Sequence, residues 1–199
     1  MDKDFKDSFR QKVQHESGSR YVVESIFDFI PSREVAEHRI LNFVAKDNRI
    51  GCQLRKMGFN KIDGLVFSET TLERMDVEAY TQIHYWKFES EALSIGDDYY
   101  DSITAYELFN MAGVPFALIM TEMIRVVNQG GFITFVLKKE FAETEEGCPD
   151  SPIESFIKKL LAAQAWQLVK KELKPKCVFG EDGHVYVFKV NIPGTVMIV

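Results

Sequence analysis

The alternation of apolar and polar residues along the chain predicts strands separated by amphipathic helices. Runs of apolar or alternating residues, typical of strands, occupy residues 40–45, 61–67, 80–88, 102–108 and 132–137. The segments between them have helical spacing. One ends at Gly58, and others begin at Ser68, Pro115 and Ser151–Pro152, all residue types that favour helix ends. This order of elements is typical of a three-layer α/β domain whose sheet is largely parallel.

The end of the chain has a different pattern. Residues 167–179 and 184–190 flank a glycine-bounded turn, Gly180–Gly183, which predicts an antiparallel hairpin and brings the expected sheet to seven strands. The predicted organisation is helices packing on the core over residues 1–39, one domain over residues 40–190 and an apolar tail over residues 191–199. Because strand-favouring apolar residues end this tail, we expect it to contact a partner or a second copy, unless it packs on its own domain.

Composition narrows the possible functions. With 24 basic and 30 acidic side chains the formal charge is −6, which disfavours binding to nucleic acid through its phosphates. The chain has three scattered cysteines, Cys52, Cys148 and Cys177. They are too few for a disulfide framework or a zinc site, and their odd number indicates a reducing compartment. The charged N-terminal residues lack the apolar run of a signal peptide, and no segment has the ~20 apolar residues of a membrane span. We therefore expect a cytoplasmic protein, or one that is also nuclear, without nucleic-acid or membrane partners.

Several short strings occur in the order that one enzyme family shows. Residues 39–43 resemble the first strand of that family, and Ile62–Ser68 resembles its second strand with the following turn. Tyr100–Ile103 resembles the entry to its fourth strand, and Glu122–Phe132 its helix and turn before strand five. The family is that of class I S-adenosylmethionine-dependent methyltransferases, and the sequence is most similar to the methyltransferase-like proteins of the Williams–Beuren region. The resemblance spans about residues 40–190 and implies a Rossmann-like fold.

The resemblance also implies where a cofactor site belongs, and the residues there depart from the family pattern. Asn42 matches the family's acidic residue at the end of strand one, and Val44, Lys46 and Asn48 match its three glycines. Val66 matches the carboxylate that binds both ribose hydroxyls. Side chains at the glycine positions obstruct the close approach of backbone to cofactor. Without the carboxylate, each buried hydroxyl loses about 1–3 kcal/mol. We therefore expect no cofactor at these five degenerate positions.

Three further residues are expected at the same cleft, namely Trp86 after strand three and Tyr106 and Glu107 after strand four. No catalytic residue or metal site can be assigned from spacing. The leading hypothesis is a pseudo-methyltransferase that has lost S-adenosylmethionine binding and acts through protein–protein contacts, with a protein partner or a homodimer. The alternative is an active methyltransferase with a rebuilt cofactor loop, which would bind S-adenosylmethionine and act on a small molecule or protein. A third hypothesis is a binding module for another small ligand.

Overall fold

The computed structural model describes residues 18–45, 49–88, 92–111, 113–143 and 151–191 of the chain. The seven strands are β1 (Arg39–Val44), β2 (Lys61–Val66), β3 (Gln82–Tyr85), β4 (Tyr100–Ala105), β5 (Val127–Lys138), β6 (Trp166–Val178) and β7 (Glu181–Val190). The α-helices are α1 (Ser19–Phe27), α2 (Arg49–Lys56), α3 (Glu69–Glu73), α4 (Phe116–Val126), α5 (Lys139–Ala142) and α6 (Pro152–Ala162). Residues 1–17 of the predicted N-terminal helical region and residues 192–199 of the apolar tail lie outside the described residues.

The seven strands form one sheet in the order β3-β2-β1-β4-β5-β7-β6. Strands β1 to β5 pair in parallel, and β7 pairs antiparallel with both β5 and β6. Strand β6 therefore runs in the same direction as the parallel strands, and β7 alone is reversed. The predicted seven-stranded, mainly parallel sheet with a C-terminal antiparallel hairpin is confirmed. Strand β7 lies between β5 and β6 although it is the last strand in the sequence.

Each face of the sheet has its own apolar core. On one face, which we call the α1–α2 face, residues of α1 and α2 such as Val22, Ile26 and Leu54 pack on the strands. On the other, the α4–α6 face, residues such as Met120 and Leu160 do the same. Strands β1 and β2 are buried on both faces, which explains why their sequences are nearly continuous apolar runs.

The local signals for helix ends match the structure. The hydroxyl of Ser68 accepts a hydrogen bond from the backbone N–H of Thr71 at 3.2 Å and starts α3. Ser151 does the same for Glu154 at the start of α6. Gly58 has a φ of +93°, the left-handed conformation that ends α2.

The glycine pair before strand five is not the turn expected from the sequence. Helix α4 runs directly into β5, and Gly130 and Gly131 lie inside that strand. The pairing of β5 with β4 shifts register between Tyr100 and Ser102, and Gly130 has a φ of +82° at this irregularity. Glycine is favoured there because the backbone bulges within a strand instead of reversing direction.

Candidate functional site

The positions that the resemblance assigns to a cofactor lie at the carboxyl ends of β1 and β2. Val44 and Val66 end these strands side by side, and both side chains pack in the core under α1 and α2. Val66 is 0% exposed. These two valines therefore contribute to the apolar core, and neither presents a polar group at the edge of the sheet. Lys46 and Asn48 lie outside the described residues.

Asn42 forms a buried hydrogen-bond network with two side chains. It is 2% exposed. Its amide nitrogen donates to the hydroxyl oxygen of Tyr80 at 2.8 Å, and its amide oxygen accepts from the hydroxyl of Thr104 at 2.8 Å. Thr104 is the register partner of Asn42 on β4. Both functional groups of the amide are thus paired inside the protein, as buried polar groups require.

Tyr80 reaches Asn42 because two glycines leave space for its ring. It follows the short 3₁₀ turn Val77–Ala79, which Asp76 caps by accepting a hydrogen bond from the N–H of Glu78 at 3.1 Å. A Cβ added at Gly51 would lie 2.5 Å from the Tyr80 ring, and one at Gly64 would lie 3.1 Å from it. Tyr80 is not among the site residues predicted from the sequence. The only available signal was the occurrence of glycine inside both a helix and a strand.

At the two positions that the resemblance assigns to carboxylates, Asn42 in β1 and Val66 at the end of β2, the side chains are neutral. At the end of β1 the amide of Asn42 is paired with Tyr80 and Thr104. At the end of β2 the side chain of Val66 offers no acceptor. These two positions therefore supply no negative charge and no free acceptor for the hydroxyl groups of a nucleoside.

Aromatic side chains surround the ends of β2 and β3. Phe67 stacks on Phe88 with ring centroids 4.6 Å apart, and Trp86 meets Phe88 edge-on at 5.4 Å. The ring centroids of Phe43 and Phe67 are 5.9 Å apart. Trp86, expected at a cleft, is buried in the core of the α4–α6 face. Phe67 and Phe88 are only partly buried among the described residues.

The two residues predicted after strand four have different positions. The Tyr106 hydroxyl donates a hydrogen bond to the backbone carbonyl of Cys177, at the far end of β6, at 2.5 Å. This bond holds the tip of the β6–β7 hairpin against the end of β4. Glu107 precedes the 3₁₀ turn Leu108–Asn110, is partly exposed and has contacts of its own.

Burial raises the pKa of the Cys177 thiol to about 11, so it is not a nucleophile at neutral pH.

Tyr100, Asp63 and His84 form a second cluster of polar side chains within the fold. The Tyr100 hydroxyl donates to Asp63 at 2.8 Å and lies 3.3 Å from the Nε2 of His84, so this histidine has a partner within the fold. Burial, followed by the hydrogen bond to Asp63, raises the pKa of Tyr100. No group of three or more His, Cys, Asp or Glu side chains in the described ranges is arranged to hold a metal ion. Within the same ranges, every helix is too short or too polar to cross a membrane.

Comparison with known proteins gives matches at the level of structure alone. No protein-family model and no curated protein matches this sequence. An S-adenosylmethionine-dependent methyltransferase from Methanosarcina mazei is 14% identical, with a TM-score of 0.62 over 84% of this chain and 97% of that chain. A TehB-like S-adenosylmethionine-dependent methyltransferase from Corynebacterium glutamicum is 12% identical, with a TM-score of 0.61 over 96% of this chain and 98% of that chain.

A third similar structure contains two proteins. It is a complex between the Haloferax volcanii Trm112 methyltransferase activator and a methyltransferase described there as putative. The matched chain is 12% identical, with a TM-score of 0.60 over 96% of this chain and 98% of that one. Likenesses at this level of identity are evidence of fold, and function depends on the site. This chain has the class I S-adenosylmethionine-dependent methyltransferase fold.

Proposed function

We propose that this protein keeps the methyltransferase scaffold, has lost S-adenosylmethionine binding and acts through contacts with other proteins. The buried side chains at the ends of β1 and β2 carry the proposal. The side-chain amide of Asn42 is hydrogen-bonded to Tyr80 and Thr104. Val66 is fully buried at the position where the resemblance implies a carboxylate that binds the ribose. Any nucleoside seated there would have to lose its hydroxyl partners.

The expected loss is large on the scale of ordinary cofactor affinity. Two ribose hydroxyls without acceptors cost about 1–3 kcal/mol each. Micromolar binding corresponds to about 8 kcal/mol, so this loss alone moves a micromolar ligand towards the millimolar range. Replacing Val66 by an acid does not simply restore the site. Its side chain is 0% exposed, so a carboxylate placed there would be buried among apolar groups.

Calorimetric titration of the full chain with S-adenosylmethionine and S-adenosylhomocysteine tests the proposal. The expected result is no measurable binding, with a dissociation constant above about 1 mM for each ligand. A circular dichroism spectrum of the same sample verifies that the protein is folded. Micromolar binding of either ligand would overturn the proposal.

An active methyltransferase with a rebuilt cofactor loop is the second candidate. The specific support for it is the likeness to solved S-adenosylmethionine-dependent methyltransferases over 84% and 96% of this chain. The comparisons favour this second function more than the first, whereas the side chains of Asn42 and Val66 favour the first. Transfer of a labelled methyl group from S-adenosylmethionine to protein or small-molecule acceptors, together with micromolar cofactor binding, would establish it.

Protein contacts have a precedent among the similar structures. The Haloferax volcanii protein of this fold is bound to an activator protein. For this chain, affinity capture with the wild-type protein as bait, followed by light scattering of each purified pair, identifies a partner of defined stoichiometry. A monomer that captures no partner and also binds S-adenosylmethionine would favour the second candidate.

A further inference from the structure

The central sheet is open and therefore has two edges. Strand β3 forms one edge and β6 forms the other, and each pairs with a single neighbouring strand among the described residues. Along an edge strand, every second residue turns its backbone N–H and C=O groups away from the sheet. Such an edge can pair with a strand of another chain unless the protein obstructs it.

The edge formed by β6 is obstructed by several features. Its pairing with β7 shifts register twice, so only the stretch Lys170–Lys174 is regular. Three of the five residues in this stretch are lysines, and Pro175 follows it directly. Irregular register, lysine and proline are features by which proteins prevent the pairing of a sheet edge. Strand β6 is therefore a poor acceptor for a further strand.

The edge formed by β3 has none of these features. Strand β3, Gln82–Tyr85, contains no Lys, Arg, Asp, Glu or Pro, and it pairs with β2 in unbroken register. The N–H of Trp86 donates to the carbonyl of Val66 at 3.0 Å, so the attachment to β2 continues one residue further. Gln82 is exposed and Tyr85 is 43% exposed. This edge is thus regular, accessible and without acidic or strongly basic side chains.

The order of side chains along β3 is complementary to itself. When two copies run antiparallel about a twofold axis at Ile83, this residue faces its own counterpart, and Gln82 faces His84 of the second copy. Apolar groups then meet on one face of the sheet, and hydrogen-bonding groups meet on the other. The Nε2 of His84 lies 3.3 Å from the Tyr100 hydroxyl. Its Nδ1 and the side-chain amide of Gln82 have no hydrogen-bond partner among the described residues, so both remain available to a second copy.

We propose that β3 pairs antiparallel with β3 of a second copy of this chain, which joins the two sheets into one. The unbroken register, the absence of Lys, Arg, Asp and Glu from β3 and its self-complementary order carry the assignment. The pairing is independent of whether S-adenosylmethionine binds. Because each copy contributes only a short strand, the contact is small compared with the interfaces of permanent dimers, and the dimer should form and dissociate with concentration.

Sedimentation velocity of the full chain over a series of concentrations tests whether the dimer exists. The mean mass is expected to rise from that of the monomer towards twice that value as the concentration increases. Amide hydrogen exchange of the same samples locates the contact. Backbone amides within Gln82–Tyr85 should exchange at least about tenfold more slowly in the dimer, whereas the exchange of β6 should be unchanged.

Substitutions on the two edges identify the strand that pairs. Ile83→Lys places two ammonium groups opposite each other at the twofold axis and should raise the dissociation constant of the dimer at least about tenfold. Gln82→Lys changes an exposed residue and should act in the same direction without disturbing the core. The control Leu173→Lys adds the same charge on β6, where the leucine is 43% exposed, and should leave the dissociation constant unchanged. Thermal unfolding of dilute samples verifies that each variant is folded.

Three results would overturn the proposal. A mean mass equal to that of the monomer up to about 1 mM protein would mean that no dimer of useful affinity forms. An unchanged dissociation constant in both Ile83→Lys and Gln82→Lys would mean that the copies meet through another surface. Slow exchange of the β3 amides in a monomer, at every concentration, would mean that another part of the same chain covers this edge.

Discussion

Replacing Tyr80 by phenylalanine removes one oxygen from the buried network at the end of β1. The phenylalanine ring can keep the packing of Tyr80 against Gly51 and Gly64. The amide nitrogen of Asn42 loses the acceptor that now lies 2.8 Å away. Because Asn42 is buried, water cannot readily replace that acceptor, so the change leaves a buried amide donor without its partner.

The expected destabilisation follows from the burial of Asn42. A buried donor left without a partner costs about 1–3 kcal/mol. For a protein of this size each kcal/mol corresponds to a shift of about 2–4 °C in the melting temperature. Tyr80→Phe is therefore expected to lower the free energy of unfolding by about 1–3 kcal/mol. In an Asn42→Ala background the same change should cost much less, because the donor is already absent.

Urea unfolding followed by circular dichroism measures the effect, with Tyr85→Phe as the matched control. Tyr85 is exposed, so its hydroxyl can exchange a protein partner for water, and the change is expected to stay within about 0.5 kcal/mol. If the free energy of unfolding of Tyr80→Phe lies within about 0.5 kcal/mol of the wild-type value, the structural role given to the hydrogen bond between Asn42 and Tyr80 is refuted. Equal costs of Tyr80→Phe in the wild-type and Asn42→Ala backgrounds would refute it as well.

Three further predictions concern the same core. Gly51→Ala raises helix propensity by about 1 kcal/mol, but the added methyl group would clash with the ring of Tyr80 at a cost of about 1–3 kcal/mol. Urea unfolding should therefore show no increase in the free energy of unfolding. Burial lowers the pKa of His38 against the opposing charges of nearby carboxylates. The unfolded chain therefore binds this proton more readily, and stability should fall as the pH drops below about 6.5. His38→Gln should flatten this part of the curve, and an unchanged slope would contradict it. Cys177 is buried and burial raises its pKa to about 11, whereas Cys52, whose pKa burial also raises, is partly exposed. Iodoacetamide at pH 8 should therefore modify Cys177 far more slowly than Cys52, as measured on separated peptides, and equal rates would contradict this prediction.

The elements of this fold could be predicted because their signals are local. Strands β1 and β2 are buried on both faces, so their apolar runs mark them directly. Helices α3 and α6 begin at serines whose hydroxyls accept a backbone hydrogen bond, as the residue types at Ser68 and Ser151 indicated. Strand β5 was predicted too short, because Gly130–Gly131 is a common turn signal and nothing local distinguishes a bulge from a turn.

The contacts of the candidate site could not be predicted, because they join distant parts of the sequence. Asn42 and Tyr80 are 38 residues apart, and Tyr106 and Cys177 are 71 residues apart. Tyr80 was assigned to a strand because residues 80–88 alternate apolar and polar side chains. Its place is decided by the space above Gly51 and Gly64, which exists only after α2 and β2 have packed together.

The insertion of β7 between β5 and β6 has a consequence for synthesis on the ribosome. Strand β5 is available for pairing with β4 well before β7 has been translated. Its other edge must remain open until Glu181–Val190 emerges, because β6 occupies the outer position and never contacts β5 as a neighbouring strand. Until then, the backbone N–H and C=O groups along that edge of β5 have no neighbouring strand, in a segment that includes the apolar residues Ile133, Phe135 and Val136. A chain that terminates after β6 would present this apolar edge to other nascent chains and be a target for chaperones and proteases.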